Sequence, residues 1–361
     1  MQSTTRFFHA NSDVLFPIQR PVEGVPSVYT QAKQLNGTFT RINYGLPKGS
    51  VANFSPSILK HKDKTYIAWR SQPEPFGFRW DNNYYYLNNK PTDVYLGLLH
   101  DDQTIVGAKN IRTKSLRHRL SYEDPRLFEG PDEEMYVQFV ASTYASQYNR
   151  GGKRLFDNPK VIVCYVDELG EATSAAIPPI GENRNKEKAE KNWCFFSHKD
   201  ELKCLYSTRP LVIECENSPK IEINSDVLDQ VTGGLPTFNS TAPIDLGYAH
   251  LVFYHWKHMT RKPDGQLYLI YHLSAYLVDK TFSKIIHVIK RPLFTGSLAD
   301  ELIYWTDYAG TPVSNQPAVI LPFGAYVENT ELVMSLGVND AFMGIFRCPL
   351  ESIMRQLERV D

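Results

Sequence analysis

A hairpin unit recurs five times along this chain and limits what it can fold into. Each copy has an apolar segment, a short polar turn and a second apolar or aromatic segment. The copies are Pro56–Lys60 with Thr65–Arg70, Pro125–Phe128 with Met135–Val140, Trp193–Phe196 with Leu202–Tyr206, Ala242–Asp245 with His250–His255, and Ile320–Tyr326 with Leu332–Leu336. A strand-length apolar run on either side of a polar turn predicts an antiparallel hairpin. Third strands are expected at Val94–Leu99, Val161–Val166, Leu211–Glu214, Leu267–Tyr271 and Phe342–Phe346, and a fourth-position strand at Ile285–Ile289. Repetition of one three- or four-stranded unit predicts an all-β, five-bladed β-propeller. A β-sandwich is the alternative, but it does not require the same opening five times. Helix signals are few. Pro349 suits a first helical position, and Leu350, Ile353, Met354 and Leu357 share a helical face, which predicts a C-terminal helix through Val360. The expected division is an N-terminal extension (1–50) packed on the propeller, the propeller itself (51–350) and the C-terminal helix (351–361).

Charge narrows the function. The net charge of −1 gives no global basic field, so a nucleic-acid partner is not expected. The basic stretch Arg112–Arg119 reads as a solvated loop. Five cysteines without a CxxC pair read as buried, reduced thiols. The first twenty residues lack an apolar leader core and no apolar run reaches membrane-span length, from which a cytoplasmic protein without a membrane span is expected. The polar stretches Ser71–Lys90 and Glu182–Lys191 are long loops of the kind that surround a propeller's mouth.

The chemistry concentrates in Tyr122-Glu123-Asp124-Pro125-Arg126, where two carboxylates precede a proline and an arginine at the opening of a repeat strand. By composition alone Glu-Asp-Pro is turn chemistry. On the innermost strand of a propeller, the same residues face a shared, partly desolvated pocket, where an Asp beside an Arg is tunable for acid–base work. Trp193 reads as core before sugar platform, and His255 equally as a structural histidine or a ligand. No His, Cys, Asp or Glu cluster has metal-ligand spacing, and no P-loop, Rossmann glycine fingerprint or serine elbow occurs, so no metal or cofactor is expected.

Tyr122–Arg126 resembles the Glu-Asp-Pro-Arg motif of glycoside hydrolase family 130, the β-mannoside phosphorylases and hydrolases, and of the related five-bladed mannosyltransferase/phosphorylases of glycosyltransferase family 108. Other stretches resemble these families in the same order. They are Asn53 with Pro56 and Arg70, then Glu190-Lys191-Asn192-Trp193 with Arg209-Pro210 downstream, then Gly233–Pro236 through Ala242-Pro243 to Tyr254-His255, and finally Leu336-Gly-Val-Asn-Asp340. The resemblance spans residues 50 to 350. It implies Asp124 as proton donor, acting in the phosphorylases through a sugar hydroxyl. It implies that Arg126 binds substrate or orients Asp124, and that Asn53, Arg70, Glu123, Lys191, Asn192, His255 and Asp340 line the substrate site. Arg150, Arg154 and Arg209 are the further phosphate-binding candidates. Two departures stand out. Leu336 occupies a position where the family often has Tyr, and Asn239–Pro243 is closer to the glycosyltransferase-like relatives.

The resulting expectation is inverting glycosyl transfer on β-mannosides or similar sugars. The substrates would be an oligosaccharide or glycoconjugate acceptor and a phosphate, sugar phosphate or nucleotide sugar. A hydrolase of the same fold is the alternative and needs a carboxylate base opposite Asp124, for which Glu328, Asp340 and Glu123 are available. A non-catalytic propeller that binds a glycan or a protein is the alternative of another class.

Overall fold

The computed structural model describes residues 4–6, 15–17, 24–48, 50, 52–72, 77–78, 85–86, 92–111, 120–143, 160–167, 170–176, 191–261, 267–300, 305–306, 312–313 and 318–360. Five antiparallel sheets of four or more strands follow one another along it. The first contains Ala52–His61, Lys64–Gln72, Asp93–Leu99 and Ile105–Asn110. The second contains Leu120–Glu129, Met135–Thr143, Lys160–Val166 and Ala172–Ala176. The third contains Cys194–His198, Glu201–Thr208, Leu211–Cys215 and Ile221–Ile223. Each expected hairpin in this half forms around its polar turn.

The fourth and fifth sheets open with interrupted strands. Thr237–Asn239 and Ile244–Asp245 both pair with Ala249–Arg261, which continues through Leu267–Asp279 to Ile285–Ile289. Ile320–Leu321 and Ala325–Glu328 both pair with Glu331–Val338, which continues to Phe342–Pro349. Successive sheets pack on one another in chain order, and Glu331–Val338 of the fifth packs back on Ala52–His61 of the first. The result is an all-β, propeller-like ring with three short helices among the described residues, Val28–Gln34, Asp226–Thr232 and Leu350–Met354. None of these helices is long and apolar enough to cross a membrane.

Both termini depart from the expected division. The strand Thr38–Arg41 pairs with Phe342–Pro349, so the last sheet is completed by residues from the N-terminal stretch. The predicted C-terminal helix stops at Met354. Leu357–Arg359 instead pairs with Ile285–Ile289 on the outer edge of the fourth sheet. The edge strand offers unpaired N–H and C=O groups, and a strand satisfies them where a continued helix would not.

The core lies between sheets. Tyr66, Val94 and Leu96 of the first meet Leu127, Val137 and Phe139 of the second. Leu205 and Ile213 of the third meet Val252, Tyr254 and Tyr276 of the fourth. Phe253 and Leu273 of the fourth meet Met334, Leu336 and Phe346 of the fifth. All five cysteines are unpaired thiols and four are buried, with Cys215 at an intermediate position.

Phe39 anchors the strand that completes the fifth sheet. It is 7% exposed and packs edge-on against Tyr29 at 5.2 Å and Phe342 at 6.3 Å. Phe39→Ala is expected to cost about 3–5 kcal/mol in urea unfolding. Tyr248→Ala, at a side chain 61% exposed, should stay within about 0.5 kcal/mol of the parent protein.

Candidate active site

The first two sheets open with the same backbone device. In the first, Phe54 pairs with Arg70 and Ser57 with Ala68, so Ser55 and Pro56 bulge out opposite Trp69. In the second, Glu123 pairs with Val140 and Arg126 with Gln138, so Asp124 and Pro125 bulge out opposite Phe139. Proline has no N–H to lose from the ladder, which makes the bulge inexpensive there. The residue before it is left-handed in both cases, with φ +51° at Ser55 and +53° at Asp124. Such conformations cost on the order of 1–3 kcal/mol in a residue with a side chain and tend to gather at functional sites. Asn192 (φ +61°), just before the third sheet, is left-handed as well. So are Asn339 and Asp340 (φ +51° and +49°), in the turn joining the two long strands of the fifth sheet. All of these positions lie at the same end of their sheets. The hairpin turns at Lys62, Glu133, Lys199 and Asn329 lie at the other end.

This end collects charge. Glu123 holds two cations, Lys191 Nζ at 2.9 Å through one carboxylate oxygen and Arg70 Nη2 at 3.5 Å through the other. Arg70 Nε also donates to the Thr92 hydroxyl at 3.2 Å, which donates in turn to the Tyr122 carbonyl at 2.8 Å. Burial pushes Lys191 toward its neutral form, but the charges of Glu123 and Asp124 outweigh it and hold the ammonium above the usual lysine value. Asp340 is pushed up to about 6, first by burial, with the Asp124 and Glu123 charges adding to the rise and those of Arg70 and Lys257 opposing it. Asp124 differs from both other carboxylates. Among the described residues no cation forms an ion pair with it, and its side chain accepts one long hydrogen bond, from the Ser55 hydroxyl at 3.4 Å.

Several expected binding residues make contacts within the protein. Asn53 is 8% exposed, accepts from the Trp69 indole at 3.0 Å through Oδ1 and donates to the Ser50 hydroxyl through Nδ2. Arg126 is 2% exposed. It donates to the carbonyls of Ser240 (3.3 Å), Asp124 and Asn239 (both 3.4 Å) and lies over the Phe323 ring. It therefore fixes the Asp124 backbone without touching the carboxylate. His255 is buried between Phe238 and Tyr271, with Nδ1 2.8 Å from the Ser240 hydroxyl, and burial holds it well below the usual histidine value. Trp193 is core. Arg209 is bound to Asp229 at 2.6 Å and to the Gly234 carbonyl at 2.9 Å. It stands at the rim of a pocket of about 370 Å³ that Lys191, Asn192, Tyr206 and Phe238 also line. Glu328 is ion-paired with Lys60 at the opposite end of the fifth sheet from Asp340. Arg150 and Arg154, like the basic stretch at 112–119, lie outside the described residues.

Sequence reasoning missed Lys257. It is 8% exposed and its ammonium lies 5.3 Å from the Phe238 ring centre and 5.4 Å from that of Tyr271. Burial and the Lys191 charge lower it to about 7, against the pull of Asp124 and Asp340. The available signal was a lysine inside the otherwise apolar and aromatic run Leu251–Met259, because lysine is seldom buried without a reason. Among the described residues no group of three or more His, Cys, Asp or Glu side chains is placed to hold a metal ion.

No protein-family model matches the chain, and no curated protein matches it by sequence. Solved structures do share its fold. A β-1,2-mannobiose phosphorylase from Listeria innocua, in complex with β-1,2-mannobiose, is 14% identical at a TM-score of 0.55, covering 88% of this chain and 96% of its own. A mannose phosphorylase from Leishmania mexicana, in complex with a phosphate ion, is 11% identical at a TM-score of 0.53, covering 92% and 95%. A structure from the GH130 family of mannoside phosphorylases, described as containing glycoside hydrolases that target β-1,2 mannosidic linkages in Candida mannan, is 11% identical at a TM-score of 0.52, covering 91% and 96%.

Lys257 leaves a signature in stability. Its folded value near 7 lies below the ordinary 10.5, so between those limits the unfolded chain binds more protons and stability rises with pH. Across pH 7 to 9 the parent protein should gain up to about 1 kcal/mol per pH unit relative to Lys257→Met, read from urea unfolding at each pH.

Proposed function

We propose that this protein is a carbohydrate-active enzyme that transfers a glycosyl group with inversion, with Asp124 as its proton donor. The observation that carries this reading is the division of labour among three clustered carboxyl groups. Glu123 is clamped between two cations, Asp340 is held near 6 by burial, and Asp124 stands on a strained bulge with its carboxylate almost unengaged. A general acid has to be within reach of the substrate and held in direction. The Arg126 contact to the Asp124 carbonyl supplies the direction. The five sheets are read as five blades around a channel, with residues 51–350 as the catalytic unit, joined by the strands Thr38–Arg41 and Leu357–Arg359.

The substrate reading is β-mannosides or similar sugars, supported by the fold shared with mannobiose- and phosphate-bound phosphorylases. The donor or nucleophile is read as phosphate, a sugar phosphate or a nucleotide sugar, with Arg70, Lys191 and Lys257 nearest to it. Asn192 and the pocket beside it receive the acceptor sugar.

One observation favours hydrolysis as the second reading. Of the three possible bases, Glu328 is remote and Glu123 is occupied on both oxygens, which leaves Asp340. An inverting hydrolase needs such a base to activate water.

The test is incubation with β-1,2-mannobiose with and without phosphate, following mannose 1-phosphate and free mannose. Asp124→Asn keeps the side chain's shape but has no proton to give. It is expected to lower turnover on the order of 10²–10⁴-fold while leaving the thermal melt unchanged. Turnover within a few-fold of the parent would remove Asp124 from the central role. If water is the nucleophile, mannose release in phosphate-free buffer should fall as pH drops through about 6, because Asp340 must be ionised to act as base. Asp340→Asn would abolish that release.

A further inference from the structure

A chain of buried contacts ties the turn that carries Asp340 to the N-terminal stretch. Asn339, the residue before it, is fully buried at φ +51°. Its Oδ1 accepts from the Val319 N–H at 3.0 Å, its Nδ2 donates to the Ser297 carbonyl at 2.9 Å, and its own N–H donates to the Val319 carbonyl at 3.0 Å. Ser297 is buried too, and its hydroxyl donates to the Val25 carbonyl at 2.6 Å and accepts from the Ala299 N–H at 3.0 Å. On either side of Ser297 the same segment grips the helix Val28–Gln34. Gln31 accepts from the Thr295 N–H at 2.7 Å and donates to the Thr295 and Pro26 carbonyls, both at 2.8 Å. Both carboxylate oxygens of Asp300 accept from the Val28 N–H, at 2.9 and 3.1 Å. Gly296 allows the close approach to residue 318, because a Cβ there would lie 1.8 Å from the Ala318 carbonyl oxygen. Segment 295–300 thus contacts both the N-terminal stretch and the residues that hold the Asp340 turn.

We propose that Asn339 is the positioning residue of Asp340 and that the N-terminal stretch 25–31 supports it through Ser297, as part of the site's framework. The part Asp340 plays in a reaction rests on the glycosyl-transfer reading above; its positioning does not. Asn339 and Asp340 are consecutive left-handed residues, at φ +51° and +49°. Such a pair persists only where its surroundings over-determine it. The three hydrogen bonds of Asn339 do so, because each partner is a backbone group that would lose its contact if the amide moved away. The conformation they fix also sets the direction of the next side chain, the Asp340 carboxylate. That carboxylate lies in the field of Arg70 from the first sheet, Glu123 and Asp124 from the second and Lys257 from the fourth, and burial is the largest influence on it. A turn that loosens admits water to the carboxylate and relieves its desolvation. The titration of Asp340 therefore reports how firmly the turn is held.

The experiment is an NMR titration of isotope-labelled aspartate carboxyl carbons in the full chain, with the Asp340 signal assigned by its loss in Asp340→Asn. The parent midpoint is expected near 6. Asn339→Gly removes the amide but keeps a residue that accepts positive φ. Its Asp340 midpoint should fall by about one pH unit or more, toward the ordinary 3.8. Ser297→Ala removes the Val25 contact one link further away, and should move the midpoint the same way by roughly half as much. Ile353→Ala truncates a core side chain at the opposite end of the fifth sheet. It should lower the melting temperature and leave the midpoint at the parent value. The proposal is overturned by a parent midpoint already at the ordinary value, by an unchanged midpoint in both Asn339→Gly and Ser297→Ala, or by an equal fall in Ile353→Ala. A fall in Asn339→Gly alone overturns the part assigned to the N-terminal stretch. Near-UV circular dichroism checks each fold; if Asn339→Gly fails to fold, Ser297→Ala against Ile353→Ala decides the matter. These shifts in a protein that turns over no mannoside would sink the glycosyl-transfer reading and leave this assignment standing. Mannoside turnover that is lost in Asp124→Asn, with the Asp340 midpoint unmoved in both turn variants, would do the reverse.

Discussion

The ring depends on how the inner strands satisfy their backbone groups where one sheet meets the next. Within a sheet the ladder does this, but the inner edge of each sheet has no ladder partner. Buried side chains bridge the gaps. Ser57 in the first sheet accepts from Leu127 N–H in the second at 2.9 Å and donates to the Phe323 carbonyl beside the fifth at 3.1 Å. Gln138 of the second binds the carbonyl of Trp193 and the N–H of Phe195 at the third. Asn239 of the fourth donates to the Leu205 carbonyl of the third at 3.0 Å. Arg126 reaches from the second sheet to two carbonyls of the fourth. A buried polar group left without a partner costs roughly 1–3 kcal/mol, so each bridge fixes the spacing of two sheets.

The site follows from the same constraint. The first and second sheets each interrupt their ladder, at the Ser55-Pro56 and Asp124-Pro125 bulges. The bulge leaves one residue of each pair in the left-handed region, opposite the buried aromatics Trp69 and Phe139. In the first sheet that residue is a serine and in the second an aspartate, and the serine hydroxyl contacts the aspartate. A repeated structural solution thus supplies a carboxylate in one copy and, in the other, a hydroxyl that contacts it. Strain there is maintained by the rigid ladders on either side.

Hairpins were legible in the sequence because a polar turn between two apolar runs is a local signal, and all five second strands fall where that signal puts them. What the sequence did not disclose is non-local. Thr38–Arg41 is too short to be read as a strand by itself; Phe342–Pro349 offers it an edge. Leu357 has helical spacing from Leu350, yet the edge at Ile285–Ile289 claims it for a strand. Motif order located Asp124, Lys191 and Asp340 near one another, but it could not say which polar side chains the protein keeps for itself. Asn53, Arg126 and His255 are candidates by motif, and in the structure they also contact Trp69, carbonyls and Ser240. Lys257 was hidden for the opposite reason, as one charge inside a strand long enough to read as core.

The charge of the site depends on protonation. Glu123 neutralises Arg70 and Lys191 in part, and Arg126 keeps its charge while donating to carbonyls. Two groups of the site have values near neutrality, Lys257, lowered to about 7, and Asp340, raised to about 6. Burial drives both toward their neutral forms, and each favours the other's charge. A neutral glycan entering with water would displace solvent and deepen that burial, leaving the pair closer to neutral. An entering phosphate adds negative charge, which favours the lysine as ammonium and the aspartate as carboxylic acid. In the first case Asp340 ionises less readily and a hydrolytic base is harder to maintain. The two kinds of ligand thus set the Lys257–Asp340 pair to different net charges, neutral with a glycan and positive with an anion.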